Sequence, residues 1–182
     1  MGHRRRRLVS MVTLFALALL GAAAPATAGP GAVSTGSGTY ALLGTTPAAF
    51  EYGAVALPNS GAAGELAVST VFQGFAIDFE GDVTCVSFDA ANHRAWIGGV
   101  ITANRSTHPS YTTARTQVGH DIWFRVVDYG EGNDAPADRA SFVGFEGDLE
   151  IPTSAAYCAL QPWSPDDART WAVTDGNIQV HD

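Results

Sequence analysis

The chain has 182 residues, of which 46% are hydrophobic and 15% are charged, and its formal net charge is −8. This composition excludes a disordered acidic tail, a collagen-like repeat and a protein with many membrane spans. All ten basic residues are arginines, and without Arg4–Arg7 six arginines face 18 acidic residues, which disfavours binding to nucleic acid or to an anionic membrane surface.

Residues 1–28 have the three-part pattern of a secretory signal peptide. Arg4–Arg7 form the cationic region, Leu8–Ala24 form an apolar stretch, and a small-residue site predicts cleavage between Ala28 and Gly29. The alternative, an uncleaved anchor, is disfavoured because the apolar stretch is shorter than the roughly 20 residues that span a bilayer. We therefore expect a secreted, extracellular product that has no membrane attachment after cleavage. The export route, Sec or twin-Arg, stays open.

Short β-like runs separated by Gly, Pro, Asn and Asp follow one another through the rest of the chain. Residues 29–37 are rich in Gly, Ser, Pro and Ala and predict a flexible lead-in. Residues 38–182 predict a single β domain. The predicted strands are Thr39–Leu43, Ala48–Ala56, Glu65–Val71, Phe75–Phe88, Arg94–Ile101, His120–Val127, Ala140–Phe145 and Asn177–His181.

The run Phe75–Cys85 shows the strand pattern most clearly. Its odd-numbered positions are mostly apolar, whereas Asp78, Glu80 and Asp82 occupy even-numbered ones. Successive side chains of a strand point to opposite faces, so we expect one face to line a core and the other to meet water. Beyond Cys85 the apolar positions become even-numbered, which predicts a bulge or a sharp bend there.

The pattern as a whole predicts an all-β fold. Ala95–Ile101 is apolar on both faces, which predicts a central strand, and Gly98-Gly99 inside it predicts a bulge or a close backbone approach. The run Ser164–Asp167 predicts one short helical turn near 165–170. About eight strands in one domain indicate a single antiparallel β-barrel or a two-sheet sandwich, with the barrel slightly favoured and the first and last strands paired.

Cys85 and Cys158 are the only cysteines of the chain. Two cysteines in an exported protein predict one disulfide, for which a single connectivity exists. Metal binding by the two thiols would need further ligands at short spacing, and a catalytic thiol would need a nearby histidine or a redox motif. The sequence shows neither, so a structural disulfide is the interpretation that it favours.

The densest polar segment is the Gly-rich stretch 128–139. Asp128, Glu131, Asp134 and Asp138 place four carboxylates in one predicted loop, and such oxygens are the ligands that Ca²⁺ prefers. The spacing differs from that of an EF-hand. The alternative is a solvated hairpin loop in which Arg139 pairs with Asp128 or Asp138. The favoured expectation is that no cofactor binds, and Ca²⁺ is the one cofactor that the loop suggests.

Other candidate residues carry weaker signals. Asp78, Glu80 and Asp82 could serve a glycosidase, but three carboxylates on one wet face lack the two different environments that such chemistry needs. The histidines lie far apart in the sequence, and the chain has no nucleophile elbow. A surface that stacks against sugars could be formed by Tyr111, Trp123, Tyr129 and Trp163.

Several motifs carry a resemblance to a known family. They are Gly81–Val86, Ala95–Val100, Asp128–Gly132, Asp138-Arg139 and Gly176–His181. With these motifs the chain resembles an uncharacterised family of small secreted β-rich bacterial proteins, over about residues 35 to 182. The resemblance implies a small exported β domain and implies no reaction and no ligand.

Three functional hypotheses are compatible with these features. The favoured one is a non-enzymatic extracellular binding or structural module, whose partner could be a glycan or a small apolar ligand. The second is a carrier whose barrel encloses a small apolar molecule. The third is a secreted hydrolase that uses acidic residues. A carrier needs a cavity, so a barrel filled by Phe75, Ile77, Phe79, Ile97, Phe124 and Val126 would count against it.

Overall fold

A computed structural model describes residues 31–58, 61–132, 134–163 and 169–181. The predicted signal peptide and its cleavage site, between Ala28 and Gly29, lie outside the described residues. Most of the helical turn predicted near 165–170 also lies outside them, and its last position, Thr170, begins a strand. Among the described residues, no helix is both long enough and apolar enough to cross a membrane.

The described chain is a closed antiparallel β-barrel of eight strands with one additional short strand and one α-helix. The barrel strands follow the order β1-β2-β3-β4-β5-β6-β7-β9, and β9 pairs with β1 to complete the ring. The short strand β8 pairs with β6 beyond the end of β7. The elements are β1 (Val33–Leu42), β2 (Thr46–Ala56), β3 (Ala62–Phe72), β4 (Phe75–Asp89), β5 (Arg94–Asn104), β6 (Asp121–Val127), β7 (Arg139–Ser141), β8 (Gly144–Phe145), α1 (Ser154–Leu160) and β9 (Thr170–His181).

This architecture confirms the predicted all-β fold and decides for the barrel over the sandwich. The pairing of the first and last strands is also confirmed, from Val33↔His181 to Tyr40↔Val173. The predicted strand over 140–145 is two short strands, because residues 142 and 143 interrupt the pairing with β6. A closed ring leaves no barrel strand at an open edge, which is how small β proteins avoid edge-to-edge association.

The flexible lead-in predicted for residues 29–37 is wrong for residues 33–37, which belong to β1. Ser34 is fully buried, and its hydroxyl lies 2.9 Å from the Tyr52 hydroxyl in a hydrogen bond. Small residues are needed in this segment because it is packed between β2 and β9. A Cβ atom at Gly36, for example, would lie 2.8 Å from the Tyr52 ring. Composition alone does not distinguish this packing requirement from backbone flexibility.

The inward-facing side chains fill the barrel. The alternation predicted for β4 is present, with Ile77, Phe79, Val83 and Cys85 buried, although Phe75 is 43% exposed at the tip of the β3–β4 hairpin. The pairing of β4 with β5 shifts between Val83 and Cys85, which confirms the predicted bulge. The void among the inward-facing aromatic residues measures only about 10 Å³, so the barrel interior is a packed core.

Helix α1 covers the outer face of β5, which explains why that strand is apolar on both sides. The helix begins after Thr153, whose hydroxyl accepts a hydrogen bond from the Ala156 N–H at 3.1 Å. A Cβ atom at Gly98 would lie 2.8 Å from the Cys85 sulfur and 2.9 Å from the Ser154 Cβ. Glycine at this position therefore lets the helix approach the barrel wall, as the predicted close approach requires.

Candidate functional site

The predicted disulfide is present and joins the barrel wall to the helix. Cys85 lies on β4 and Cys158 on α1, with 6.3 Å between their Cα atoms. Both cysteines are buried. The bond therefore holds α1 against β4 and β5.

The loop with the predicted calcium ligands closes one end of the barrel. In the described chain β7 borders β9 only along Thr170–Ala172, so the backbone N–H groups farther along that edge need other acceptors. The Asp138 carboxylate accepts from the Ile178 N–H at 2.9 Å, and the Asp128 carboxylate accepts from the Val180 N–H at 3.0 Å. Two side chains thus take the place that strand carbonyls would occupy.

Each of these carboxylates also uses its second oxygen inside the loop. Asp128 accepts from the Gly130 N–H at 2.7 Å, and Asp138 accepts from the Tyr129 N–H at 2.9 Å. Burial raises the pKa of Asp138, and its two backbone donors oppose that shift. We call the Asp128 and Asp138 carboxylates, with their four backbone donors, the aspartate lock.

The other residues of the loop are placed differently. Glu131 accepts a hydrogen bond from the Asn177 side chain at 2.8 Å, and Asp134 is exposed. Arg139 donates to the Thr170 hydroxyl at 2.9 Å and to the Thr170 carbonyl at 2.7 Å, rather than to Asp128 or Asp138 as expected. In the part of the chain that the structure describes, no group of three or more His, Cys, Asp or Glu residues could hold a metal ion. Calcium binding by this loop stays a prediction.

The carboxylate row lies on the outer face of β4, as the alternation predicts. Arg105 donates to both oxygens of Glu80, at 2.9 and 3.0 Å, and lies 3.5 Å from Asp78. The hydrogen-bonded guanidinium holds the pKa of Glu80 below its usual value. Asp78, Glu80 and Arg105 are all substantially exposed and form a solvated ion-pair network.

The structure does not assemble the predicted sugar-stacking surface. Tyr111 packs against Phe79 at the end of the barrel where β5 finishes. Tyr129 lies beyond the end of β6, at the opposite end of the barrel. Trp123 and Trp163 lie instead on the side that carries α1, where they line two adjoining depressions.

These two depressions form a groove on the outside of the barrel. Their volumes are about 540 and 620 Å³, and both are lined by Arg125, Leu149 and Arg169. Leu43 lines the first depression, and Leu160 lines the second. We call this feature the leucine–arginine groove and define it by Leu43, Arg125, Leu149, Leu160, Trp163 and Arg169.

The outer face of β6 forms part of the floor of the groove. Trp123 is buried and stacks on Tyr157 of α1, with ring centroids 5.3 Å apart. The Arg125 side chain is also buried, and its guanidinium lies 5.1 Å from the centroid of the Trp163 ring. Burial raises the pKa of the Tyr157 phenol, and the neighbouring Arg125 opposes that shift. The arginine is therefore held in place by aromatic contacts.

The rim of the groove combines exposed leucines with an unusual backbone conformation. Leu43 is 67% exposed, Leu149 50% and Leu160 64%. Leu43, Leu149 and Arg169 have φ angles of 53°, 57° and 64°, in the left-handed region that L-residues other than Asn and Asp seldom adopt. Seven non-glycine residues of the described chain have positive φ, and three of them line this groove. Such positions cost about 1–2 kcal/mol each.

The groove presents apolar side chains together with positive charge. Arg125 and Arg169 are the charged residues among those described around the second depression. In the first depression Asp148 is hydrogen-bonded to Arg115 at 2.6 Å. The sequence patterns do not predict this site, because Leu43 falls at the end of a predicted strand and Leu149, Leu160 and Arg169 belong to no recognised motif. The one available signal was a large apolar residue inside a turn, as in Leu43-Gly44.

No protein-family model, no curated protein and no solved structure matches the chain. The resemblance to a bacterial family therefore stays an expectation from the motifs. Three of the five motifs meet in space, because Asp128, Asp138, Ile178 and Val180 together make the aspartate lock. These three motifs are parts of the barrel closure.

Proposed function

We propose that the protein is a non-enzymatic binding module that acts outside the cell, and that the leucine–arginine groove is its binding surface. The observation that carries this proposal is the coincidence of exposed leucines and left-handed backbone around one groove. A free choice of residues at these positions would favour Gly, Asn or Asp, which suit both solvent and the conformation. Strain that persists in exposed segments is typical of functional sites.

The rigidity of the surrounding structure also supports binding. The disulfide holds α1, and the stacked Trp123 and Tyr157 rings fix the helix against β6. The side chains at the floor of the groove are already ordered before a partner binds, which lowers the entropic cost of association. The disulfide and the signal-like segment 1–28 support a location in an oxidising extracellular compartment.

The two other hypotheses receive less support from the geometry. A carrier would need interior space, whereas Ile77, Phe79, Ile97, Phe124 and Val126 fill the barrel and leave a void of about 10 Å³. A hydrolase that uses acidic residues would need carboxylates in a cleft. The row on β4 is instead exposed, and the two carboxylates of the aspartate lock hold backbone N–H groups.

A binding screen on matched variants tests this proposal. Arrays of glycans, lipids and peptides are probed with the wild-type protein, with Leu149→Asn in the groove and with Leu57→Asn as a control. Leu57 is also an exposed leucine, but it lies at the other end of the barrel. We expect Leu149→Asn to weaken binding of any hit and Leu57→Asn to leave it unchanged. Hits that bind both variants as tightly as the wild type would contradict the proposal.

A further inference from the structure

We propose that the groove binds an amphipathic monoanion, a molecule with a single carboxylate head and an aliphatic chain. This inference rests on the proposed function and names the ligand class of the same site. The carboxylate would bind the exposed Arg169, with the buried Arg125 adding positive charge nearby. The chain would extend along Leu149 towards Leu43 or Leu160.

The charges around the second depression favour an anionic head. Its charged residues, among those described, are Arg125 and Arg169. Arg169 is exposed and therefore accessible to a ligand, whereas Arg125 is buried against the Trp163 ring and contributes through its charge. Guanidinium groups bind carboxylates through short, paired hydrogen bonds, and a partly desolvated site strengthens them.

The charge of the rest of the protein favours a single negative charge on the ligand. Six arginines face 18 acidic residues once residues 1–28 are removed. The outer faces of β2, β3 and β4 carry acidic side chains, namely Glu51, Glu65, Asp78, Glu80 and Asp82. A polyanion, such as a nucleic acid or a sulfated polysaccharide, would meet this repulsion along most of its length. A ligand with one charge is attracted by the two arginines at the groove and meets less of this repulsion.

The packing of the aromatic rings favours an aliphatic chain over a sugar ring. Trp123 already stacks on Tyr157, and Trp171 stacks on Tyr40 with centroids 6.0 Å apart. The Trp163 ring is covered by the guanidinium groups of Arg94 and Arg125, at 4.4 and 5.1 Å from its centroid. The exposed large apolar side chains of the groove are those of Leu43, Leu149 and Leu160, which contact methylene groups well.

The size of the groove agrees with a small molecule. Each depression has a volume within the range of about 300–1,000 Å³ that is usual for small-molecule sites. A single aliphatic chain could follow either depression from the arginines that both share. The leucines at the outer ends, Leu43 and Leu160, would then contact the end of the chain.

Titration of the mature protein with dodecanoate, below its micelle concentration, tests this inference. Calorimetry and tryptophan fluorescence report binding, and dodecyltrimethylammonium is the matched probe of opposite charge. We expect dodecanoate to bind at least tenfold more tightly than the cation. Arg169→Gln should weaken dodecanoate binding about tenfold, which is the effect of losing one charge-assisted hydrogen bond. The control Arg105→Gln, which removes an exposed arginine elsewhere, should leave binding unchanged.

The outcomes separate this inference from the proposed function. Equal binding of dodecanoate and dodecyltrimethylammonium, with both weakened by Leu149→Asn, would overturn the anion and leave the groove as the binding surface. Binding to phosphatidylglycerol vesicles without binding of free dodecanoate would also overturn the inference, because the ligand would then be a membrane. If dodecanoate does not bind, the inference fails. The proposed function fails only if Leu149→Asn also leaves the hits of the screen unaffected.

Discussion

The Asp138 carboxylate accepts a hydrogen bond from the backbone N–H of Ile178 at 2.9 Å, across 40 residues of sequence. Asp128 makes the equivalent bond to Val180, two residues farther along the same strand. The loop between β6 and β7 therefore holds the final strand through side chains, and it closes the end of the barrel where β7 is too short to continue the ladder.

Replacement of Asp138 by Asn should destabilise the protein by about 1–3 kcal/mol. One amide oxygen can accept from either Tyr129 or Ile178, and the NH₂ group would face the other N–H donor. Urea denaturation measures the change, with Asp134→Asn as the control because Asp134 is an exposed residue of the same loop. Equal losses of unfolding free energy in Asp138→Asn and Asp134→Asn would contradict the stabilising role of the aspartate lock.

The lock should also give a pH dependence. Burial raises the pKa of Asp138 above its ordinary value of 3.8, so the folded state holds the proton more tightly than the unfolded state. The contribution of this group to stability is then fully present below pH 3.8 and is lost as the pH rises through the folded-state pKa. The amide introduced by Asp138→Asn cannot titrate, so the stability difference between the wild type and this variant should shrink as the pH rises through this window. Denaturation curves measured across acid pH test this direction. A stability difference between the wild type and Asp138→Asn that grows as the pH rises would contradict the raised pKa of Asp138.

Removal of the disulfide should cost about 4 kcal/mol, because the bond closes a loop across 73 residues of sequence. The double variant Cys85→Ala/Cys158→Ala and the reduced wild-type protein should lose similar amounts of unfolding free energy. Guanidinium denaturation with and without reductant measures both. A wild-type protein whose stability does not change under reduction would show that the bond does not hold α1.

Leu43→Asn should stabilise the protein by about 1 kcal/mol and weaken ligand binding. Leu43 has a φ angle of 53° and is 67% exposed, so its removal sacrifices little packing and relieves a left-handed leucine. Thermal denaturation gives the stability, and the screen described above gives the binding. Leu57→Asn, at an exposed leucine without positive φ, should give no such gain. A loss of stability in Leu43→Asn would show that this leucine serves the fold instead.

Local patterns in the sequence predicted the parts of the fold that depend on local alternation. The pattern of apolar and polar residues along the chain predicts three features that the structure contains. They are the face assignment of β4, the bulge near Cys85 and the burial of β5 on both faces. Helix α1 was missed because seven residues are too few for a periodic signal, and its stability comes from the disulfide and from packing on β5.

The candidate site was not predictable in this way. Its rim comes from the β1–β2 turn, the segment around Leu149 and the residue before β9, and only barrel closure brings these together. The carboxylates of residues 128–138 were recognised as important, but their role depends on the shortness of β7. Strand β7 pairs with β9 only along Thr170–Ala172. This length is set by tertiary structure, and no local sequence pattern predicts it.

The most direct test of the leucine–arginine groove is a chemical-shift map of the ¹⁵N-labelled mature protein, titrated with dodecanoate or with a hit from the screen. We expect the largest shifts on the backbone amides of Leu43, Leu149 and Arg169 and on the indole N–H of Trp163. Shifts concentrated on the outer faces of β2, β3 and β4, with these four signals unmoved, would contradict ligand binding in the groove.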